Sequence, residues 1–401
     1  MKKKQASPSA MISPRRRKAS EEDRQTIRRR RSSRLSADEL LSNITIDLVI
    51  EIFSRLPLKS IARCRCVSKQ WASALRRPDF TELFFTKSSA RPQLLFAREK
   101  EKDVRFFTAL QPQNLGENVS IMAADHHVSF PDRHLYHISC LLNGLVCIRD
   151  ERFFKRSTAL ELVLVIYNLS TRQSFTLPKI KTGSSVVLRS FLGYDPIEKQ
   201  HKVLAVIDKQ HRVLTLGTGN LTWRVAECGI PHFSSRPDSV CINGVLYYAA
   251  GVSVGKMIAC FDVRSEKYSF VKLMEREMFP ATLINFQGKL ASVRSSILSE
   301  KSTGFNMWIL EDLEKHEWSK RIFNLPPTWK KEVAGEKYLY FVGVTATNEF
   351  VFAPLYPSDP FHVYYYKFVK EAVKRVEIQG MGTFEFVRIF LNHVEDVKLM
   401  E

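Results

Sequence analysis

Thr45-Ile46-Asp47-Leu48-Val49-Ile50-Glu51-Ile52-Phe53-Ser54-Arg55-Leu56-Pro57 is the stretch in which the chain turns from polar to amphipathic. Leu48, Ile52 and Leu56 recur every four residues, the repeat of one face of an α-helix. Thr45 is placed to cap its N-terminus, Asp47 and Glu51 stand towards the positive end of the helix dipole, and Pro57 stops it. Further on, Ser60 is placed to cap a helix from Ile61 to Cys66, and Ser68 to cap one carrying Trp71 and Leu75. Pro78 opens another helical stretch that ends near Phe84 and Phe85. Residues 36–87 thus read as a small helical module, three-helix in plan.

So small a module hides little surface, yet Leu48, Val49, Ile50, Ile52, Phe53 and Leu56 are more apolar positions than one inner face can cover. Two explanations fit the periodicity: a partner surface, or packing of the module against the domain that follows. The string Asp47-Leu48 with Glu51-Ile52-Phe53-Ser54-Arg55-Leu56-Pro57-Leu58-Lys59-Ser60, continuing through Arg63-Cys64-Arg65-Cys66-Val67-Ser68-Lys69-Gln70-Trp71, resembles the F-box in its plant form. The resemblance implies that the helices dock apolar side chains on a Skp-family adaptor, which binds a cullin scaffold that brings in the ubiquitin-charged enzyme. It also implies that Ile44, Leu48, Ile52, Leu56, Pro57, Ile61, Val67 and Trp71 make that contact or support it from within. F-box proteins usually have Leu-Pro or Ile-Pro just before the Asp-Leu pair, whereas here Ile44 is followed by Thr45. A proline there pre-sets the backbone, and a Thr hydroxyl replaces part of that role by capping. Adaptor binding is expected to survive, weaker by about 1 kcal/mol.

Towards the N-terminus the texture is different. Residues 1–34 hold thirteen Lys or Arg against Glu21, Glu22 and Asp23, a charge of +10 out of the whole chain's +19. With almost no apolar residue to bury, residues 1–35 read as a disordered basic tail. The blocks Arg15, Arg16, Arg17, Lys18 and Arg28, Arg29, Arg30, Arg31 suit the acidic groove of a nuclear-import receptor. A solubilising arm and salt-sensitive contact with nucleic acid are the other readings. The acids at 21–23 count against a mitochondrial presequence.

The 401 residues are 44% apolar and 26% charged, enough for one small and one large folded domain. No run approaches the ~20 apolar residues of a membrane span, and Lys2 to Lys4 lead into no apolar signal core. The expectation is a protein inside the cell, in the nucleus, the cytoplasm or both, with no membrane partner. The seven cysteines are scattered without paired spacing, so neither a disulfide framework nor a four-thiolate zinc site is expected.

Beyond Arg91-Pro92, residues 90–401 break into short strand-like segments separated by turn residues. Gly144, Gly193, Gly244, Gly288 and Gly343 recur in comparable strand-start contexts at separations of 44 to 55, the spacing of kelch-like propeller blades. Turns opened by Asn168, Asp262 and Asp312 lead to Phe175, Tyr268 and Trp318, as in hairpins. Five periods fill residues 138–380; the run from Gln93 to Ala109 supplies another blade, closed by the segment Phe384 to Leu399. The fold expected is α+β multidomain: the small helical module, then an all-β domain, a kelch-like β-propeller of about six blades, with a sandwich or irregular barrel as alternatives. Asn143-Gly144-Leu145-Val146, Tyr167-Asn168-Leu169-Ser170-Thr171, Phe191-Leu192-Gly193-Tyr194-Asp195-Pro196, Lys202-Val203-Leu204 and Trp308-Ile309-Leu310-Glu311-Asp312 together resemble the plant F-box-associated domain. That resemblance implies a target-binding domain without cofactor.

No catalytic constellation emerges. His126, His127, His134, His137 and Cys140 are the densest possible zinc ligands, but their spacing fits no common metal pattern, and no metal is expected. No GxSxG elbow or P-loop is present; Gly217-Thr218-Gly219 reads as a hairpin turn. Glu311 and Asp312, and Asp195 and Glu198, lie in expected turns as solvated carboxylates. Together these point to a non-catalytic substrate receptor of a Skp-cullin-F-box ubiquitin ligase, with an unknown target protein as its second partner. The alternatives are an enzyme on a propeller scaffold and a nuclear basic binding protein, although the concentration of charge in the tail speaks against nucleic acid.

Overall fold

The computed structural model describes residues 45–398 except 101–102, 113–118, 130–134, 154–159, 183–187, 254, 275–277, 279–280, 295–296, 357–358 and 383–385. Ile44 and the basic tail, with its two candidate import blocks, therefore lie outside the described residues. The chain forms two compact units, one ending at Phe80 and one beginning at Thr81.

In the first unit, helix α1 spans Ile46–Phe53, α2 Leu58–Arg65 and α3 Lys69–Ala74, and α4, Pro78–Ser89, begins in it. Ser68 caps α3 as expected, its Oγ accepting the Trp71 amide at 3.2 Å, and Pro78 is the first residue of α4. The helix opened by Pro78 runs on to Ser89 rather than ending near Phe84 and Phe85, and three further local expectations fail. Thr45 makes no side-chain cap; its contribution is the backbone carbonyl, which accepts the Val49 amide at 3.2 Å. The second helix begins behind Pro57 rather than behind Ser60, because a residue with fixed φ is itself a sufficient helix entrance. Finally, α1 stops at Phe53, so Leu56 lies beyond the helix rather than on its apolar row. Pro57 bars its neighbour from helical φ/ψ, and the last turn tightens instead, with Arg55 and Leu56 amides bonding the Ile52 and Phe53 carbonyls at 3.2 and 3.0 Å.

The second unit is a six-bladed propeller. Blade 1 combines Gln93–Lys100, Asp103–Leu110 and Ala124–Ser129 with the late strand Arg388–His393, and blade 2 is Leu135–Leu142, Leu145–Phe153, Leu160–Asn168 and Ser174–Thr176, with Ile180–Thr182 added to its third strand. Blade 3 is Leu188–Asp195, Gln200–Ile207, Gln210–Thr215 and Arg224–Val225; blade 4 is Phe233–Ile242, Val245–Val252, Gly255–Asp262 and Tyr268–Lys272. Blade 5 is Ala281–Phe286, Lys289–Arg294, Gly304–Asp312 and Glu317–Asn324; blade 6 is Leu339–Val344, Phe350–Pro354, Phe361–Lys367 and Ala372–Gln379, extended by the parallel strand Val119–Met122. The ring closes where Arg388–His393 pairs with Gln93–Lys100, joining the two ends of the domain in one sheet.

The repeat is genuine, but only part of its glycine signature means what the spacing suggests. Asn143-Gly144, Asn243-Gly244 and Gln287-Gly288 have positive φ at both residues and make the two-residue hairpin turns between the first two strands of blades 2, 4 and 5. Gly193 and Gly343 instead lie inside strands. A β-carbon on Gly193 would sit 2.6 Å from Val263 Cγ2, so that glycine is required for space. The Asx turns hold as expected: Asn168, Asp262 and Asp312 side-chain oxygens each accept amides two or three residues on, at 2.6–3.1 Å.

Each apolar cluster of the propeller lies between two neighbouring blades. Leu95, Phe106, Ile148 and Val165 fill the gap between blades 1 and 2; Phe191, Leu204, Tyr248 and Phe261 fill that between 3 and 4; and Leu94, Phe96, Val363 and Tyr365 fill that between 6 and 1. Burial on both faces explains why these strands are near-continuous aliphatic runs rather than strictly alternating. Aromatic side chains pin successive blades: Trp223 Nε1 donates to the Pro178 carbonyl at 2.7 Å, Trp318 Nε1 to the Lys272 carbonyl at 3.0 Å, and the Tyr366 hydroxyl to the Asn324 carbonyl at 2.7 Å. No helix among the described residues is long and apolar enough to cross a membrane.

Candidate functional site

Helix α1 carries two apolar rows. Successive residues are about 100° apart around a helix, so Leu48 and Ile52 form one row and Val49 and Phe53 the next. Val49, Ile50 and Phe53 are buried, whereas Leu48 and Ile52 are 56% and 52% exposed. The other polar and apolar positions of the module follow the same division. Ile61 is buried, and Trp71, half-buried, packs its ring 4.9 Å from that of Phe53. Val67 and Pro57 are exposed and Leu56 is half-buried. Ile46, which sequence reading did not select, is also exposed; its place one residue into the helix was the only available signal.

The expected contact set therefore separates into outward residues, Leu48, Ile52, Pro57 and Val67, and inner supports, Ile61 and Trp71. Polar bonds hold the frame: Arg55 pairs with Glu51 one turn back at 2.6 Å, and the Arg65 guanidinium donates to the Leu75 carbonyl at 3.2 Å. Burial, followed by the charge of Arg76, pulls the Arg65 pKa below its ordinary value. At the start of α4, Asp79 accepts from Arg77 at 2.7 Å, and that bond holds its carboxyl below the usual range.

The F-box domain family matches residues 41–83, and the family described as F-box associated beta propeller domain matches residues 93–397. The chain belongs to the F-box proteins. This F-box protein is 50% identical over 391 residues to the F-box protein DOR of Arabidopsis thaliana, covering 94% of this chain and 99% of that one. It is 45% identical over 401 residues to the putative F-box protein At3g23960 of the same plant, covering 94% and 97%.

Elsewhere, the carboxylates singled out in the F-box protein's sequence divide. Asp195 is 3% exposed, accepting the Ile197 amide at 2.9 Å and Arg264 Nε at 3.2 Å, so it ties blade 3 to blade 4 instead of facing solvent. Glu198 is exposed as expected, whereas Glu311, though exposed, lies inside the third strand of blade 5 and pairs with Lys289, and Asp312 ends that strand half-buried. The histidine-rich segment gathers no ligand set among the described residues: His126 bonds the Thr108 hydroxyl at 2.9 Å within blade 1, Cys140 lies in blade 2, and the side chains of His127, His134 and His137 are outside the description. The structure instead brings together His211, Cys228 and His232, which sequence reading passed over. The only linear signal was Cys228 four residues before His232; His211 comes from a different strand.

Proposed function

We propose that this F-box protein is the substrate-recognition subunit of a Skp-cullin-F-box ubiquitin ligase, holding a Skp-family adaptor through α1 and its surroundings and a target protein through the propeller. The observation that carries the proposal is the exposed Leu48–Ile52 row on a helix whose other apolar row is already buried. At about 25 cal/mol per Å² of apolar surface, covering such side chains contributes on the order of 1–2 kcal/mol each, more than most rim contacts. In this assembly the chain is non-catalytic: thioester chemistry occurs on another subunit, and the receptor contributes proximity and orientation. The cullin is reached only through the adaptor.

The test is a pull-down of the full chain with purified Skp-family adaptor, against the Leu48→Asp, Ile52→Asp double variant. We expect capture by the native chain and loss of at least about 100-fold in affinity in the variant, since buried unpaired carboxylates cost several kcal/mol. Both positions are exposed, so the thermal midpoint should not move. Failure of the native chain to bind ends this reading.

For localisation, the blocks Arg15–Lys18 and Arg28–Arg31 support a nuclear pool beside a cytoplasmic one. Replacing all eight residues by Ala in a fluorescent fusion should abolish nuclear enrichment, and an unchanged distribution would refute the assignment.

A further inference from the structure

His211 lies on the third strand of blade 3, and the connection from blade 3 to blade 4 carries Cys228 and His232. One donor atom from each lies within 4.8 Å of the others. His211 and His232 are 2% and 0% exposed, while Cys228 is half-buried beside an open cleft of about 640 Å³ lined by Glu227, Gly229, Glu266 and Tyr268. We propose that His211, Cys228 and His232 form a zinc site, with three protein ligands and a fourth position open towards this cleft.

The distances suit the ion. Tetrahedral zinc holds imidazole nitrogen at about 2.0–2.1 Å and thiolate sulfur at about 2.3 Å, which places sulfur and nitrogen about 3.6 Å apart. The Cys228 sulfur is 3.6 Å from His232 Nδ1. One His211 ring nitrogen lies within 4.8 Å of both donors, about 1 Å beyond the spacing of tetrahedral ligands.

The hydrogen bonds leave a lone pair to be satisfied. His211 Nε2 is 3.1 Å from the His232 carbonyl, and because a carbonyl only accepts, Nε2 carries the proton and the Nδ1 lone pair is bare. That Nδ1 is buried without a partner, as is one nitrogen each of His201, His316 and His393, but among these rings His211 is the one grouped with a thiol and a second imidazole among the described residues. A cation is the partner that suits an acceptor-only nitrogen. His232 is equipped on its far side: Nε2 lies 2.7 Å from the Tyr248 hydroxyl, which is 3.4 Å from that of Tyr268. With Nδ1 on the metal, Nε2–H donates to Tyr248, the outer-shell bond that orients metal-binding histidines.

Binding balances by proton release. The Cys228 thiol and His232 Nδ1 now both face the Ile230 carbonyl, at 3.2 and 2.9 Å. Zinc replaces both contacts: the thiol proton leaves to solvent and the His232 proton moves from Nδ1 to Nε2, with no change of oxidation state. Two imidazoles and a thiolate favour zinc over the hard cations magnesium and calcium.

The full chain, stripped with chelator and dialysed, is to be titrated with zinc sulfate by calorimetry, and with cobalt(II) by absorption. The result expected is one equivalent of zinc, a rise in thermal midpoint on binding, and a thiolate-to-cobalt band. Cys228→Ser, nearly isosteric at a half-buried position, should weaken binding by more than about 100-fold, beyond the range for loss of an outer-shell partner, and remove the band. Cys241→Ser, altering a thiol on the first strand of blade 4, should bind as the native chain does. The site is overturned if the native chain takes up no stoichiometric zinc, or if folded Cys228→Ser binds equally well.

Discussion

Helix α1 and the blades of the propeller draw on the same aliphatic side chains and dispose of them differently. In α1, Leu48 and Ile52 are more than half exposed although they stand beside buried Val49 and Phe53. In blade 6, Phe350, Val351 and Phe352 are consecutive and all buried, because a strand between two neighbouring blades has cover on both faces. Apolarity alone therefore marks a core residue only where the architecture supplies two covering layers; on a short helix in a small unit, the surplus becomes surface for something else.

The largest effect is expected where that comparison is sharpest. Phe350 is 0% exposed and sits among the rings of Phe305, Phe323 and Phe368, with centroids 4.7–5.4 Å away. Phe350→Ala should destabilise the propeller by about 3–5 kcal/mol, read as a fall in thermal midpoint. Leu48→Ala, by contrast, should change stability by less than about 0.5 kcal/mol while weakening adaptor binding. A large loss of stability in Leu48→Ala would mean that the row is core, and the comparison would collapse.

The next effect distinguishes the regions by pH. His393, on the strand that closes the ring, is 2% exposed, and burial, with His126 nearby adding to it, pushes its pKa down from 6.5 to about 4. In the unfolded chain it binds a proton near pH 6.5, so between pH 6.5 and 4 the unfolded state holds more protons and stability falls as pH falls. The loss is up to about 3 kcal/mol by pH 4, and none of it is present above pH 7. Thermal midpoints measured across this window should drop for the native chain and drop less for His393→Leu. An equal slope would assign the acid sensitivity to other groups.

What the sequence revealed follows the same division. Local chemistry was legible: Asn168 and Asp312 open turns with their own side chains, and Ser68 caps a helix, each through neighbours in the chain. The blade period and its closure by a late strand were legible because they repeat or stand at the ends. Gly193 misled because space for Val263 and freedom of φ leave the same residue in a sequence. Asp195 misled because its partner Arg264 is 69 residues away. The surplus of apolar residues on α1 was visible, but which row faces outward depends on what covers the other row, and that is a tertiary fact. His211 and His232 meet only because one blade hands the chain to the next.

The smallest effect concerns Thr45, where local and tertiary reasoning meet. It was expected to compensate for a missing proline by capping α1, yet its side chain makes no cap bond, and only its carbonyl serves the helix. Its backbone stands at φ −62° and ψ 145°, which proline adopts without strain, and a proline retains the carbonyl that bonds Val49. Thr45→Pro should therefore stabilise the helical unit by about 0.4–1 kcal/mol, chiefly by restricting the unfolded chain, with a matching modest gain in adaptor affinity where helix formation limits binding. Chemical denaturation followed by tryptophan fluorescence would detect this as a higher midpoint, at unchanged slope, of the phase that Trp71→Phe removes. A destabilised variant would show that the Thr45 amide or hydroxyl supports the helix entrance by a bond beyond the cap.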